Sequence, residues 1–257
     1  MASPKIYIYG RHALKEAITQ APQSVKKVHL AASMDDLALR QLITKANIPT
    51  TLLTGSNVPG DVSKDASHQG VIGVLSLDGI VREYKEFMED FKITPHSSFL
   101  LLDELQDPHN VGAVIRSAAA FGVSAVLIPA HNQSPITGAV IKVSAGMAFR
   151  IPLVMIGNVN HTIKDLKDRG FWIYGLAGEG AQPLGKEQFT APTVFVLGNE
   201  SKGIREKTRE HCDVLLSIPM HPQCESLNVA ASTAIALYAW SVQHQTALAI
   251  PSAAPKK

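Results

Sequence analysis

The runs that most constrain this chain's fold are apolar almost throughout rather than at every second residue. They are Phe99 to Leu105, Ala125 to Pro129, Pro152 to Ile156, Trp172 to Leu176, Thr193 to Leu197 and Val214 to Ile218. A strand with one wet face alternates apolar and polar residues. A run such as Val194-Phe195-Val196-Leu197 instead needs cover on both faces, which is the situation of a parallel sheet sandwiched by helices. The segments between the runs, Val111 to Phe121, Val140 to Ala148 and Val159 to Arg169, carry helix-forming patterns. The reading is therefore α/β with a mostly parallel sheet, extending over residues 98–246.

The first 76 residues form a smaller unit. Short β-rich runs (Ile6 to Tyr9, Val25 to Ala31, Thr50 to Leu53, Val71 to Leu75) alternate with helix-like stretches at Arg11 to Gln20 and Asp35 to Ala46. Ala13, Leu14, Ala17 and Ile18, and then Leu37, Leu39, Leu42 and Ile43, recur at helical spacing, so each helix can bury one face on a sheet. Residues 77–97 are highly charged around Arg82 to Phe91 and read as an interdomain linker with one short helix, closed by Pro95. Residues 247–257 read as a flexible tail.

Composition narrows the function classes. With 24 Lys and Arg against 22 Asp and Glu the net charge is +2, and residues 1–75 hold +3 of it. That is too little to identify a nucleic-acid binder by charge alone. No stretch supplies the roughly 20 apolar residues of a spanning helix, and the opening residues carry no apolar export core, so neither a membrane role nor export is expected. Two cysteines, Cys212 and Cys224, fit a reducing cytoplasm. His211, Cys212, His221 and Cys224 fall within fourteen residues, but neighbours in extended chain point to opposite faces, and no metal is expected.

Three loops follow apolar runs where parallel sheets place their ligands. After Phe99 to Leu105, Asp107-Pro108-His109 reads as a turn and Asn110 as the cap of a helix, with Gly112 and Ala113 leaving backbone open to an anion. Arg116 lies within two turns of that start. Its planar fork suits phosphate, although it could also snorkel from a buried helix or pair with an acid. After Thr193 to Leu197 comes Gly198-Asn-Glu-Ser-Lys-Gly203, which matches neither standard phosphate-loop pattern. Glu200 there is equally a surface acid at a helix start or a group that orients a ribose hydroxyl. After Val214 to Ile218, the stretch Ser226-Leu227-Asn228 precedes a small-residue helix, which either Ser226 or Asn228 could cap.

As an ordered set, Asn110-Val-Gly-Ala-Val-Ile-Arg116, Phe195-Val-Leu-Gly-Asn-Glu-Ser-Lys-Gly-Ile204 and Ile218-Pro-Met-His-Pro-Gln-Cys-Glu-Ser-Leu-Asn-Val229 resemble the motifs of the SpoU (TrmH) family of RNA ribose 2′-O-methyltransferases. Tyr9-Gly-Arg-His-Ala13 and His68-Gln-Gly70 are similar to spots in the L30e-like substrate-recognition domain of some members. The resemblance implies an L30e-like RNA-binding domain ahead of an α/β-knot (trefoil) domain, S-adenosyl-L-methionine as methyl donor, and a homodimer. It implies a catalytic set of Asn110, Arg116, Glu200, Ser226 and Asn228, and a cofactor pocket of Ala177, Gly198, Ile218 and Leu227. With such an N-terminal unit, the implied substrate is a guanosine in the peptidyl-transferase region of 23S rRNA. The alternatives are another rRNA site or a tRNA, or a noncatalytic RNA-binding protein that has kept the fold.

Overall fold

The computed structural model describes residues 5–54, 68–178 and 181–248; most of the expected tail lies outside them. The N-terminal unit is built from β1 (Lys5–Tyr9), α1 (Arg11–Gln20), β2 (Val25–Ala31), α2 (Leu37–Lys45), β3 (Thr50–Leu53) and β4 (Val71–Ser76). Its sheet runs β1-β4-β2-β3, antiparallel except where β3 pairs β2. Leu14, Ala17 and Ile18 of α1 and Leu39 and Ile43 of α2 are buried, as the helical spacing requires.

The larger unit contains β5 (Val81–Glu83), α3 (Tyr84–Asp90), β6 (Ser98–Asp103), α4 (Pro108–Ala120), β7 (Ala125–Pro129), α5 (Gly138–Val143) and β8 (Leu153–Ile156). It continues with α6 (Val159–Asp168), β9 (Trp172–Leu176), β10 (Gln182–Pro183), β11 (Thr193–Gly198), α7 (Glu206–Arg209), β12 (Val214–Ser217) and α8 (Val229–Gln243). The sheet order is β10-β12-β9-β11-β6-β7-β8-β5, and every neighbouring pair is parallel.

The apolar runs are explained by two separate cores. Leu100, Leu102, Val126, Phe195 and Leu197 pack with Val111, Val114, Ile115 and Ala118 of α4 and Leu237 and Trp240 of α8. Phe99, Leu101, Leu127, Val154, Val194 and Val196 pack on the opposite face with Phe87 and Met88 of α3 and Ile163 and Leu166 of α6. Alternate residues of one strand thus serve different cores, which is why the runs are apolar almost throughout.

Residues 77–97 are more than a connector. Val81–Glu83 extends the large sheet by pairing β8, and Phe87 stacks with Phe91 and meets Phe99 edge-on in the second core. The two units touch through α5. Gly138 lies against the Tyr7 carbonyl so closely that a Cβ would sit 2.0 Å from it. Lys142 stands 4.9 Å over the Tyr9 ring, and Arg150 grips Glu16 with two hydrogen bonds of 2.8 and 3.1 Å. That grip holds the Glu16 carboxyl below its ordinary range.

Candidate active site

The helix after β6 starts earlier than the sequence reading places it. Asp107 is its cap, accepting from the His109 amide at 2.8 Å, and Pro108 occupies the first turn, where its missing N–H costs nothing. Asn110 is therefore no cap but lies inside the first turn, with its side-chain amide free for other work. Gly112 is also misread as open backbone: it is buried, and a Cβ there would meet Val143 Cβ at 2.7 Å, so it lets α4 and α5 pack closely.

Asn110, Glu200 and Asn228 come together. Asn228 caps α8, its Oδ1 accepting from the Ala230 amide at 2.9 Å and the Ala231 amide at 3.4 Å. Because those backbone groups can only donate, the Asn228 oxygen must face them and its Nδ2 must face away. That Nδ2 donates to Asn110 Oδ1 at 2.8 Å, and Asn110 Nδ2 in turn donates to Glu200 Oε1 at 3.0 Å. The end of α8 thereby fixes the polarity of a chain that stops on a carboxylate, joining residues 90 and 118 positions apart.

Glu200 is carried by a tight loop. Asn199 and Gly203 exchange backbone hydrogen bonds of 3.0 and 2.8 Å, and Asn199 Oδ1 accepts from the Ser201 and Lys202 amides. The return passes directly over Gly198, where a Cβ would sit 2.1 Å from Ile204 N. Only glycine fits there.

Ala177, Gly198 and Ile218 lie at the carboxyl ends of β9, β11 and β12, which are sheet neighbours, and β6 delivers Asn110 at the next strand along. Leu227 and Met220 present apolar side chains in the exposed segment after β12. Backbone at strand ends beside apolar side chains is the kind of lining that holds a nucleoside. Arg116 and Ser226 lie outside the hydrogen-bonded trio. Both are exposed, and neither side chain has a hydrogen bond or ion pair among the described residues.

The sequence reading misses a buried ion pair at the end of β6. Asp103, fully buried, accepts from Arg205 Nε at 2.8 Å, and Arg205 also meets Glu104 at 3.1 Å. The hydrogen bond to Asp103 raises the Arg205 guanidinium further above its ordinary value. A carboxylate ending an apolar run was the available signal. In the N-terminal unit, the two short motifs meet: Gln69 Oε1 accepts from the Arg11 amide at 3.1 Å, beside a cleft of about 460 Å3 lined by Arg11, Ser33, Met34, Gln69 and Gly70. Among the described residues no three His, Cys, Asp or Glu side chains gather as metal ligands, and burial pushes the Cys212 thiol up to about 12. Among the described residues, no helix is long and apolar enough to cross a membrane.

The parallel sheet, its strand-end site and the attached small unit define a two-unit α/β protein whose candidate site sits at the carboxyl edge of the larger sheet. Residues 97–238 match the SpoU rRNA methylase family, and residues 7–77 match the RNA 2′-O ribose methyltransferase substrate-binding family. The chain belongs to the SpoU rRNA methylase family. It is 35% identical over 236 residues to the 23S rRNA (guanosine-2′-O-)-methyltransferase RlmB of Pseudomonas putida, covering 90% of this chain and 94% of that one. The protein of the same name from Nitrosomonas europaea is 35% identical over 240 residues, covering 93% and 92%. Among solved structures, the SpoU methyltransferase AviRb from Streptomyces viridochromogenes, in complex with AdoMet, superposes with a TM-score of 0.79 at 19% identity, over 94% of this chain and 91% of that one. The A. aeolicus TrmH/SpoU tRNA-modifying enzyme covers only 62% of this chain and 82% of its own, with a TM-score of 0.55 at 25% identity.

Proposed function

We propose that this chain transfers a methyl group from S-adenosylmethionine to the ribose 2′-hydroxyl of a guanosine in 23S rRNA. The observation that carries the reading is the chain Asn228, Asn110, Glu200, which ends on a carboxylate at the carboxyl edge of the sheet. The names of the RlmB relatives supply the nucleoside and the RNA.

The residues present fit the cofactor. Gly198 lets the Glu200 loop fold back tightly over the strand end, and Ile218, Leu227 and the backbone at Ala177 supply a lining for adenosine. Bound there, S-adenosylmethionine supplies an electrophilic methyl group on a sulfonium. The ribose hydroxyl is a weak nucleophile at neutral pH, so the protein must orient it and take up its charge. Glu200 spends one carboxylate oxygen on Asn110 and has no hydrogen bond at the other among the described residues, so that oxygen is placed to accept the hydroxyl proton. Ser226 holds the ribose alongside. Arg116 cannot be the base, because a guanidinium stays protonated; it clamps the neighbouring phosphate and offsets developing negative charge.

In this reading the unit of residues 1–76 captures RNA, with the Arg11 and Gln69 cleft as its contact, and residues 98–246 carry out the transfer. A homodimer is supported by α8, which leaves Ile235, Tyr238 and Val242 exposed by 40%, 61% and 51%. A trefoil knot is supported by strand order, since β11 enters between β9 and β6 and the chain returns from β12 to pack α8 on α4. Two free cysteines and an rRNA substrate support a cytoplasmic location.

The test is transfer of a labelled methyl group to total rRNA and to tRNA, with cofactor binding followed by calorimetry. Label is expected in large-subunit RNA. Label in tRNA alone would overturn the substrate, and no transfer with no cofactor binding would leave a noncatalytic RNA-binding module.

A further inference from the structure

We infer that Asp103, Glu104 and Arg205 form a clamp that aims Glu200 at Asn110, with Arg205 as a positioning residue for methyl transfer. The inference rests on the function proposed above for Glu200.

The loop bearing Glu200 leaves the sheet at Gly198, and Asp103 of β6 is the register partner of Gly198. The loop therefore begins beside the buried carboxylate of Asp103, and Arg205 brings its far end back to the same atoms. Asp103 accepts from the Arg205 backbone N–H at 3.2 Å and from its Nε at 2.8 Å, with a third contact to its terminal nitrogen at 2.5 Å. These contacts engage both oxygens of a fully buried carboxylate, so the loop end is located in direction as well as distance.

The next residue adds a second hold. Glu104 adopts φ +68°, a left-handed conformation that a residue with a side chain seldom takes without being held. Contacts on both its carbonyl and its carboxylate hold it. Its carbonyl accepts from Asn199 Nδ2 at 2.9 Å, its carboxylate meets Arg205 at 3.1 Å, and Asn132 Nδ2 donates to that carboxylate at 3.5 Å. The strained turn thus ties the start of the loop through Asn199 and its end through Arg205, leaving residues 200–204 as a short bridge held at both ends. Backbone strain held by surrounding contacts is characteristic of functional sites. Glu200 makes no hydrogen bond or ion pair with Asp103 or Arg205 among the described residues, so their effect on the reaction passes through the loop's position.

Arg205 is the member to change, because its side chain is 44% exposed whereas Asp103 has none of its surface free. Arg205→Gln removes the cation, and Arg205→Lys keeps it while giving up the planar fork. The first measurement is hydrogen exchange at the amides of residues 199–203, which needs no substrate. Arg205→Gln is expected to speed exchange there by about tenfold or more, with the sheet unchanged. The second is kcat in a double-mutant cycle with Glu200→Gln. Arg205→Gln alone is expected to lower kcat by about 10- to 100-fold, the scale of a misplacement near 1 Å. Arg205→Lys should fall between it and wild type, and in the Glu200→Gln background Arg205→Gln should have little further effect.

Unchanged loop exchange would overturn the clamp. So would the same loss of kcat in both backgrounds, which would mean that Arg205 acts directly on RNA or cofactor. If the wild-type chain transfers no methyl group, the proposed function falls, and loop exchange still decides whether the clamp exists.

Discussion

Replacing Asn228 by Asp separates its two jobs. An aspartate at this position still caps α8, because its oxygen accepts from the Ala230 and Ala231 amides as the asparagine does, and its charge suits the helix N-terminus. It cannot donate to Asn110. The hydrogen bond now running from Asn228 Nδ2 to Asn110 Oδ1 becomes two oxygens facing each other, and Asn110 can relieve the clash only by turning its amide. Turning it directs Asn110 Oδ1 at the Glu200 carboxylate, which loses its donor. A lost neutral hydrogen bond is worth about 1 kcal/mol net, and an unsatisfied or opposed acceptor about 1–3 kcal/mol. Partial exposure of the trio favours the lower part of that range, so the loss of positioning is about 1.5–3 kcal/mol. On kcat this is roughly 10- to 100-fold. Stability should move little, whereas Asn228→Ala loses the cap as well, at a cost of about 1 kcal/mol, or roughly 2–4 °C in Tm for a chain of this size. The assays are single-turnover methylation at saturating RNA and thermal unfolding of both variants. If Asn228→Asp methylates within about twofold of wild type, a change too small to represent a lost hydrogen bond, the polarity assigned to the chain is wrong.

Other consequences follow from separate parts of the structure. Gly198→Ala puts a Cβ 2.1 Å from Ile204 N, forcing the loop outward; cofactor affinity measured by calorimetry should fall at least about tenfold, and unchanged affinity would remove Gly198 from the pocket. His244 is buried, stacks on Trp240 and hydrogen-bonds the Phe189 carbonyl and His96; burial, aided by His96, holds it below the ordinary histidine value of 6.5. The folded chain therefore takes up this proton less readily than the unfolded one. The contribution of neutral His244 is full above pH 6.5 and falls away as the pH drops below it, so Tm should decline on acidification more steeply in wild type than in His244→Gln. Equal slopes would show that the histidine is not the group responsible. Reversing the charge of either Glu16 or Arg150 should loosen the contact between the two units, detectable as an increased radius of gyration by small-angle scattering, and reversing both should restore it. Failure of the double reversal to restore compactness would rule out the pair as a tie.

The large sheet was readable because its central strands, β6, β7, β8, β9 and β11, each serve two cores, and a residue such as Phe195 or Leu102 can satisfy that demand only by being apolar. Val81–Glu83 was not readable. It is a three-residue edge strand with Arg82 and Glu83 exposed, so burial imprints almost nothing on its sequence, and its membership depends on β8, 72 positions away. The site divides along the same line. Gly198, Glu200 and Asn228 stand at strand ends or a helix start, positions that local sequence marks. What joins Asn110 to Glu200 and Asn228 is contact across 90 and 118 positions, which no local pattern encodes. Asp107 was hidden for a different reason: Asp-Pro reads equally as a turn and as a cap followed by a first-turn proline, and only the observed start of α4 separates them.

The central claim is that the methylated atom is a ribose 2′-oxygen, and alkaline hydrolysis tests it directly. Alkali cleaves RNA through attack of the free 2′-hydroxyl on the adjacent phosphate, so a methyl group on that oxygen leaves the linkage intact. Large-subunit RNA labelled by this protein should yield, after complete alkaline hydrolysis, the label in an alkali-resistant dinucleotide that releases 2′-O-methylguanosine on digestion. Label recovered in ordinary mononucleotides would mean that a base is methylated instead, and the roles given to Glu200, Asn110 and Asn228 would be wrong.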